Sequence, residues 1–176
     1  MNTYIALLRG INVGGHKKVP MAMLREALVK VDLINVKTYI QSGNVIFQSS
    51  EKNTKALEIK IQEAITTNFG FEVPVLVLTL NALKQIFNTC PFPEPVKTNS
   101  YFMFLYSAPN QDLVKQVEQL SFPHERFVIT NSAIYFHCSV GYGKAKCSNN
   151  FFEKKLKITA TARNYKTMVK LLSLSA

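Results

Sequence analysis

Cysteine is scarce in this 176-residue chain, and the three that occur, Cys90, Cys138 and Cys147, form no CxxC pair. An odd, scattered set excludes a disulfide framework and fits the reducing cytoplasm, where the chain is expected to work. No metal centre is expected either. His137 and Cys138 are adjacent, so on a strand they point to opposite faces, and neither His16 nor His124 has a ligand at i+3 or i+4. Long apolar runs are also missing: Tyr4–Leu8, Val75–Leu78 and Tyr101–Tyr106 fall far below the ~18 residues of a membrane span. The N-terminus lacks the basic, apolar and small-residue segments of a secretory signal. It reads as a first strand, and no membrane partner is expected. Neither the GxxxxGK[ST] phosphate loop nor the RNP pattern of RNA-binding domains occurs.

Acidic residues are unevenly absent. The net charge is +10, from 21 basic and 11 acidic side chains. Residues 1–18 carry Arg9, Lys17 and Lys18 with no acid, and residues 141–176 carry eight basic side chains against Glu153 alone. The stretch between them is balanced. If folding joins the two basic ends, they form one electropositive site; if it does not, the excess only aids solubility.

Apolar residues make up 47% of the chain, enough for a core. Residues 3–9 read as a central strand. A glycine-rich loop over 10–19 leads to Pro20, suited to a first helical turn. Met21, Leu24, Leu28 and Val31 then mark a helix over 20–31. Val36–Gln41 and Val45–Gln48 flank Ser42–Gly43–Asn44 as a hairpin. A second helix sets Leu57, Ile61, Ile65 and Phe69 on one face and ends at Gly70. Val73–Leu78 is the next strand, and Thr79 caps a short helix. Three prolines between Pro91 and Pro95 predict an extended linker over 90–98. Beyond it, Tyr101–Tyr106 is a strand. Asn110 caps a helix with Leu113, Val117 and Leu120 inward, and a hairpin turns at Asn131–Ser132.

The second half repeats the first. A shift of 89 positions lays Leu24, Leu28 and Val31 on Leu113, Val117 and Leu120, and Ile40, Val45 and Phe47 on Ile129, Ile134 and Phe136. The first strands align only at 97, so the first half carries eight additional residues, all in the glycine-rich loop. A loop lengthened in one copy is where function is added. The expected fold is α+β, a structural duplication of two ferredoxin-like (βαββαβ) subdomains at 1–89 and 99–176. The second is expected to lack or shorten its last strand and to end in helices, with Thr161 read as a turn residue and Asn164 as a helix cap.

Leu7–Gly15 with its following bases, Tyr39–Val45, and Thr161–Asn164 with Thr167 and Lys170 together resemble the bacterial domain of unknown function 1697. The resemblance spans the whole chain and implies a bacterial cytoplasmic protein of two similar α/β subdomains. It implies no activity. His16 and Tyr165 depart from the residue types common in relatives, which leaves the identity of any ligand-stacking aromatic open.

The candidate ligand site gathers three motifs. Gly14 and Gly15, with Asn12 and Gly10 nearby, let backbone N–H groups face a ligand at a helix start, and Arg9, Lys17 and Lys18 supply cations. Turn glycines alone do not need three cations, so anion binding is the expectation. Gln41, Ser42 and Asn44 are first turn residues and second hydrogen-bonding groups for a ligand. Thr161 and Asn164 are explained as turn and cap, whereas Arg163 just before a helix start conflicts with the positive helix end unless an anion is present. The reading is a protein that binds a phosphorylated small molecule or nucleotide, with no cofactor. A nucleic-acid binder, and a hydrolase or transferase acting on a phosphorylated substrate, are the alternatives. No general base stands out, since Glu26 belongs to a helix body.

Overall fold

The computed structural model describes residues 1–176, which divide into two compact units: residues 1–85 with 170–176, and residues 86–169. The protein is mixed α+β, with one four-stranded antiparallel sheet in each unit.

The first unit runs β1 (Asn2–Leu8), α1 (Met21–Val29), β2 (Ile34–Tyr39), β3 (Asn44–Ser49), α2 (Thr54–Phe69), β4 (Val75–Thr79) and into α3 (Leu80–Asn88), with strand order β2-β3-β1-β4. Tyr4, Ala6 and Leu8 of β1 pack with Leu24 and Leu28 of α1 and with Leu57, Ile61 and Ile65 of α2. Ile5 and Leu7, on the other face, are buried as well. Burial on both faces explains why β1 is apolar throughout rather than alternating. Asn53 caps α2 by accepting the Lys55 and Ala56 N–H groups, and Gly70 closes it with φ 79°. Thr79 Oγ1 accepts the Ala82 N–H at the start of α3.

One end of this sheet needs an acceptor from outside it. β4 lies at the edge, and the buried Val77 N–H donates to Glu58 Oε1 of α2 at 3.0 Å, while Glu58 Oε2 takes Lys55 Nζ at 2.9 Å. The helix thereby satisfies a peptide group that no strand reaches.

The second unit runs α4 (Glu94–Lys97), β5 (Tyr101–Leu105), α5 (Gln111–Glu118), β6 (Glu125–Ile129), β7 (Ala133–Cys138), a 3-10 turn (Tyr142–Lys144), α6 (Asn149–Leu156), β8 (Ala160–Asn164) and α7 (Tyr165–Ser175), in sheet order β6-β7-β5-β8. The last turns of α7 fall in the first unit. Met103, Leu105, Val117, Ile134, Phe136 and Phe152 form the core. Glu153 Oε2 of α6 accepts the Ala160 N–H of edge strand β8 at 3.0 Å, as Glu58 does for β4. Strand registers carry the repeat in atomic detail. Tyr4 faces Phe47 and Tyr101 faces Phe136, offsets of 97 in the first strand and 89 in the third. No helix is long and apolar enough to cross a membrane.

Three sequence expectations are corrected. The second sheet has its last strand, and at five residues β8 is as long as β4. Thr161 is therefore a strand residue. The Thr-Ala-Thr-Ala stretch has weak strand propensity, but Ala160 and Ala162 sit opposite the bulky Leu105 and Met103, so tertiary pairing overrides it. The proline stretch is not extended throughout: Pro93 precedes the helical turn α4 and Pro95 is its second residue, where a missing N–H costs nothing. In α5 Val114 and Val117 are buried and Leu113 packs half-buried against the core, while Leu120 lies beyond the helix end and is exposed.

Gly43 closes the first hairpin against β1. Its φ is 88°, its carbonyl accepts the Leu8 N–H at 2.8 Å, and a β-carbon there would lie 2.6 Å from Leu8 Cβ and 3.0 Å from the Leu8 carbonyl. Leu8 is fully buried and has nowhere to move. Adding the cost of a left-handed L-residue to that of overpacking, Gly43→Ala should destabilise the protein by about 3 kcal/mol. A urea midpoint that does not fall would contradict this packing.

Candidate functional site

The glycine-rich loop between β1 and α1 folds as a small hairpin of its own. Gly14 and Gly15 have φ of 57° and 76°, and across them the His16 N–H donates to Val13 O at 3.0 Å. The Asn12 N–H donates to Lys17 O at 3.1 Å below that turn. Positive φ at both central residues is what a two-residue hairpin turn requires, so the turn accounts for the paired glycines. Residues 13–18 are exposed.

Asn12 ties this hairpin to the body. Its Oδ1 accepts the Val19 N–H at 2.8 Å, and its Nδ2 donates to Val19 O at 3.0 Å and to Gln41 O at 2.8 Å. Its own φ of 54° is one that asparagine tolerates better than most residues. The side chain thus closes the loop at its base and fastens it to the β2–β3 turn. Asn44 does similar work inside that turn: fully buried, it donates to Tyr39 O at 3.1 Å and Ser42 Oγ at 2.9 Å. Gln41 and Ser42 are exposed on the same turn.

The cations differ in placement. Lys17 Nζ donates to Glu72 O at 2.8 Å and borders a cleft of about 690 Å³ that Glu63 and Glu72 also line. Two carboxylates there disfavour an anion, so Lys17 acts as a latch between the loop and the segment before β4. Lys18 and His16 are exposed and Arg9 is half-buried. The first acidic residue in the chain is Glu26, exposed on α1. At the start of α1 itself, Pro20 offers no side-chain hydrogen bond and the first turn holds no acid. Every other helix of eight or more residues receives such a bond, from Asn53, Thr79, Asn110, Ser148 or Asn164.

The third motif lies in the second unit. Arg163 is in β8 opposite Phe102, one residue ahead of the Asn164 cap of α7. Its Nη1 donates to Thr161 Oγ1 at 2.7 Å and to Ala162 O at 2.9 Å, so it points back along its own strand. Burial lowers its pKa from 12.5 to about 10, with Tyr106 acting in the opposite sense; it stays charged at neutral pH. Asn164 Oδ1 accepts the Thr167 N–H at 2.9 Å and caps α7 as expected. Arg163 thus stands directly ahead of the α7 cap, as expected, and the partners its guanidinium holds there are oxygens of Thr161 and Ala162.

Two of the three thiols, Cys90 and Cys147, are poor nucleophiles. Burial, then the charge of Glu125 and a hydrogen bond to it, push Cys147 up to about 12, and burial raises Cys90 too. The strand aromatics Phe102, Phe104 and Tyr135 are buried and offer no stacking platform to a nucleic acid.

The chain matches the family described as "Protein of unknown function (DUF1697)" over residues 1–135. Among solved structures, a conserved bacterial protein, SP0830 from Streptococcus pneumoniae, is similar at 26% identity over 99% of both chains, with a TM-score of 0.76. A comparison with curated proteins gave no match.

Two measurements check this geometry. Asn12→Ala should cost about 2 kcal/mol through its three lost hydrogen bonds, with faster amide exchange at Val19 as the local sign. Cys147, with a pKa near 12 against 9.0 for an ordinary thiol, should hold about a thousandfold less thiolate at pH 8. Alkylation of the native protein should accordingly reach Cys90 well before Cys147.

Proposed function

The chain belongs to the DUF1697 family, and we propose that its first unit binds the phosphate of a small phosphorylated molecule or nucleotide where the glycine-rich loop meets α1. The observation that carries this reading is the uncapped start of α1: alone among the longer helices it lacks a side-chain acceptor, and the 25 residues before Glu26 contain no acid to serve as one. First-turn N–H groups without a protein partner and a positive helix end together suit an anion.

The helix end by itself contributes only about 1 kcal/mol, far below what a micromolar ligand needs. Lys18, His16 and Arg9 are the groups that would supply the remainder, with Gln41 and Ser42 on the adjoining turn as neutral donors. Gly14 and Gly15 set the turn, and Asn12 and Asn44 hold the two turns in place. Thr161, Arg163 and Asn164 have roles within the second unit and are not needed for this site. We also read both units as ferredoxin-like, on their shared β-α-β-β-α-β order and matching strand orders, and the cytoplasm as the compartment, on the unpaired cysteines.

Ala22, exposed in the first turn of α1, provides the test. Ala22→Glu places a carboxylate where the phosphate would sit. It should stabilise the fold by up to about 1 kcal/mol while weakening calorimetric binding of inorganic pyrophosphate, which carries no ring, tenfold or more. Undiminished binding would refute the site. A steep loss of oligonucleotide affinity between about 50 and 200 mM salt, with no small-ligand binding, would favour the nucleic-acid alternative.

A further inference from the structure

The second unit contains a cleft of about 710 Å³, within the size range of small-molecule sites. It is built where β7 ends, β5 begins and α7 starts, and it is flanked by α4 and the loop after β7. Tyr101 and Tyr142 form part of its wall, their rings stacked at 4.0 Å between centroids and 20° between planes. His137 and Lys166 also line it, and no aspartate or glutamate does.

The walls are held by bonds within the protein, so the cleft does not need a ligand to form. Tyr142 Oη accepts the Asn149 N–H at 3.1 Å. The Gly141 N–H donates to Cys138 O at 3.1 Å, and the Tyr165 N–H donates to Ser100 O at 3.2 Å. Ser100 Oγ in turn donates to Val96 O at 2.6 Å, and Asn99 Nδ2 to Pro95 O at 3.0 Å. A preformed cleft with a tyrosine pair on its wall, a lysine on its rim and no carboxylate disfavours cations and offers a flat apolar surface beside a positive charge.

We propose that this cleft binds a small aromatic anion, with the ring against the Tyr101–Tyr142 pair and a phosphate or carboxylate group near Lys166. The site is separate from the one at α1, and neither proposal requires the other. The sequence signal was partial: Gly141–Lys146 stands out as a glycine- and lysine-rich loop, but nothing in the sequence places His137 or the 95–100 segment beside it.

The test uses the full chain carrying Ala22→Glu, which silences the proposed site at α1. Adenosine monophosphate and benzoate are the probes, distinguishing phosphate from carboxylate, and adenosine and inorganic phosphate are the controls. At least one probe should bind with a Kd below about 1 mM and tenfold tighter than either control. It should shift the NMR signals of the Tyr142 ring and of the Ser139 and Lys166 amides. Lys166 is exposed in the first turn of α7, so Lys166→Glu should not lower the thermal midpoint and should weaken that probe tenfold. The proposal is overturned if neither probe shifts those signals, if a control binds as tightly, or if Lys166→Glu has no effect. Those failures leave the site at α1 untouched, because it is scored by comparing the wild-type chain with Ala22→Glu on a probe that has no ring.

Discussion

A peptide N–H at the edge of a sheet, once a helix covers it, has neither a neighbouring strand nor water to bond. Leaving such a group unsatisfied costs about 1–3 kcal/mol. Both units meet this constraint in the same way. Glu58 reaches from α2 to Val77, and Glu153 reaches from α6 to Ala160. Each glutamate fixes its helix along the edge strand as well as across it, something an apolar stripe does not do, since hydrophobic contact is non-directional. The registers of β4 on β1 and of β8 on β5 are thus joined by one helix-to-edge bond in each unit.

Much of the fold was legible because the elements are locally self-consistent. The stripe Leu57, Ile61, Ile65 closed by Gly70 could only be a helix, and its boundaries at Thr54 and Phe69 lie close to those the spacing implies. The repeat was legible because β3 and β7 keep the same face pattern, with Val45, Phe47, Ile134 and Phe136 all buried. What escaped was β8. Its alanines owe their place to the large residues opposite on β5, and that information resides in the partner strand, about 60 positions away along the chain. Arg163 does stand just ahead of the α7 cap, but no local pattern shows that its guanidinium is turned to Thr161 and Ala162.

The candidate site was legible in outline only. Composition marked the glycine loop and its cations, but not how the polar side chains would be used. Asn12 looks in sequence like one more ligand group, yet its amide is engaged by Val19 and Gln41. Lys17 belongs to a charge cluster on paper and is directed instead to the Glu72 carbonyl. Such commitments depend on segments distant in sequence, and no local pattern encodes them. The missing cap on α1, by contrast, is visible at Pro20, and it becomes informative only beside the capped starts of the other helices.

The Asn12 clasp has a consequence for engineering the molecule. The hairpin above it is fastened at its base by Asn12 and at its side by Lys17, while added β-carbons at Gly10 or Gly15 would meet nothing within 4 Å. Extra residues spliced between Gly14 and Gly15 would therefore project into solvent with the clasp intact. That tip is a natural place to graft a reporter peptide or a spectroscopic label without disturbing the sheet beneath.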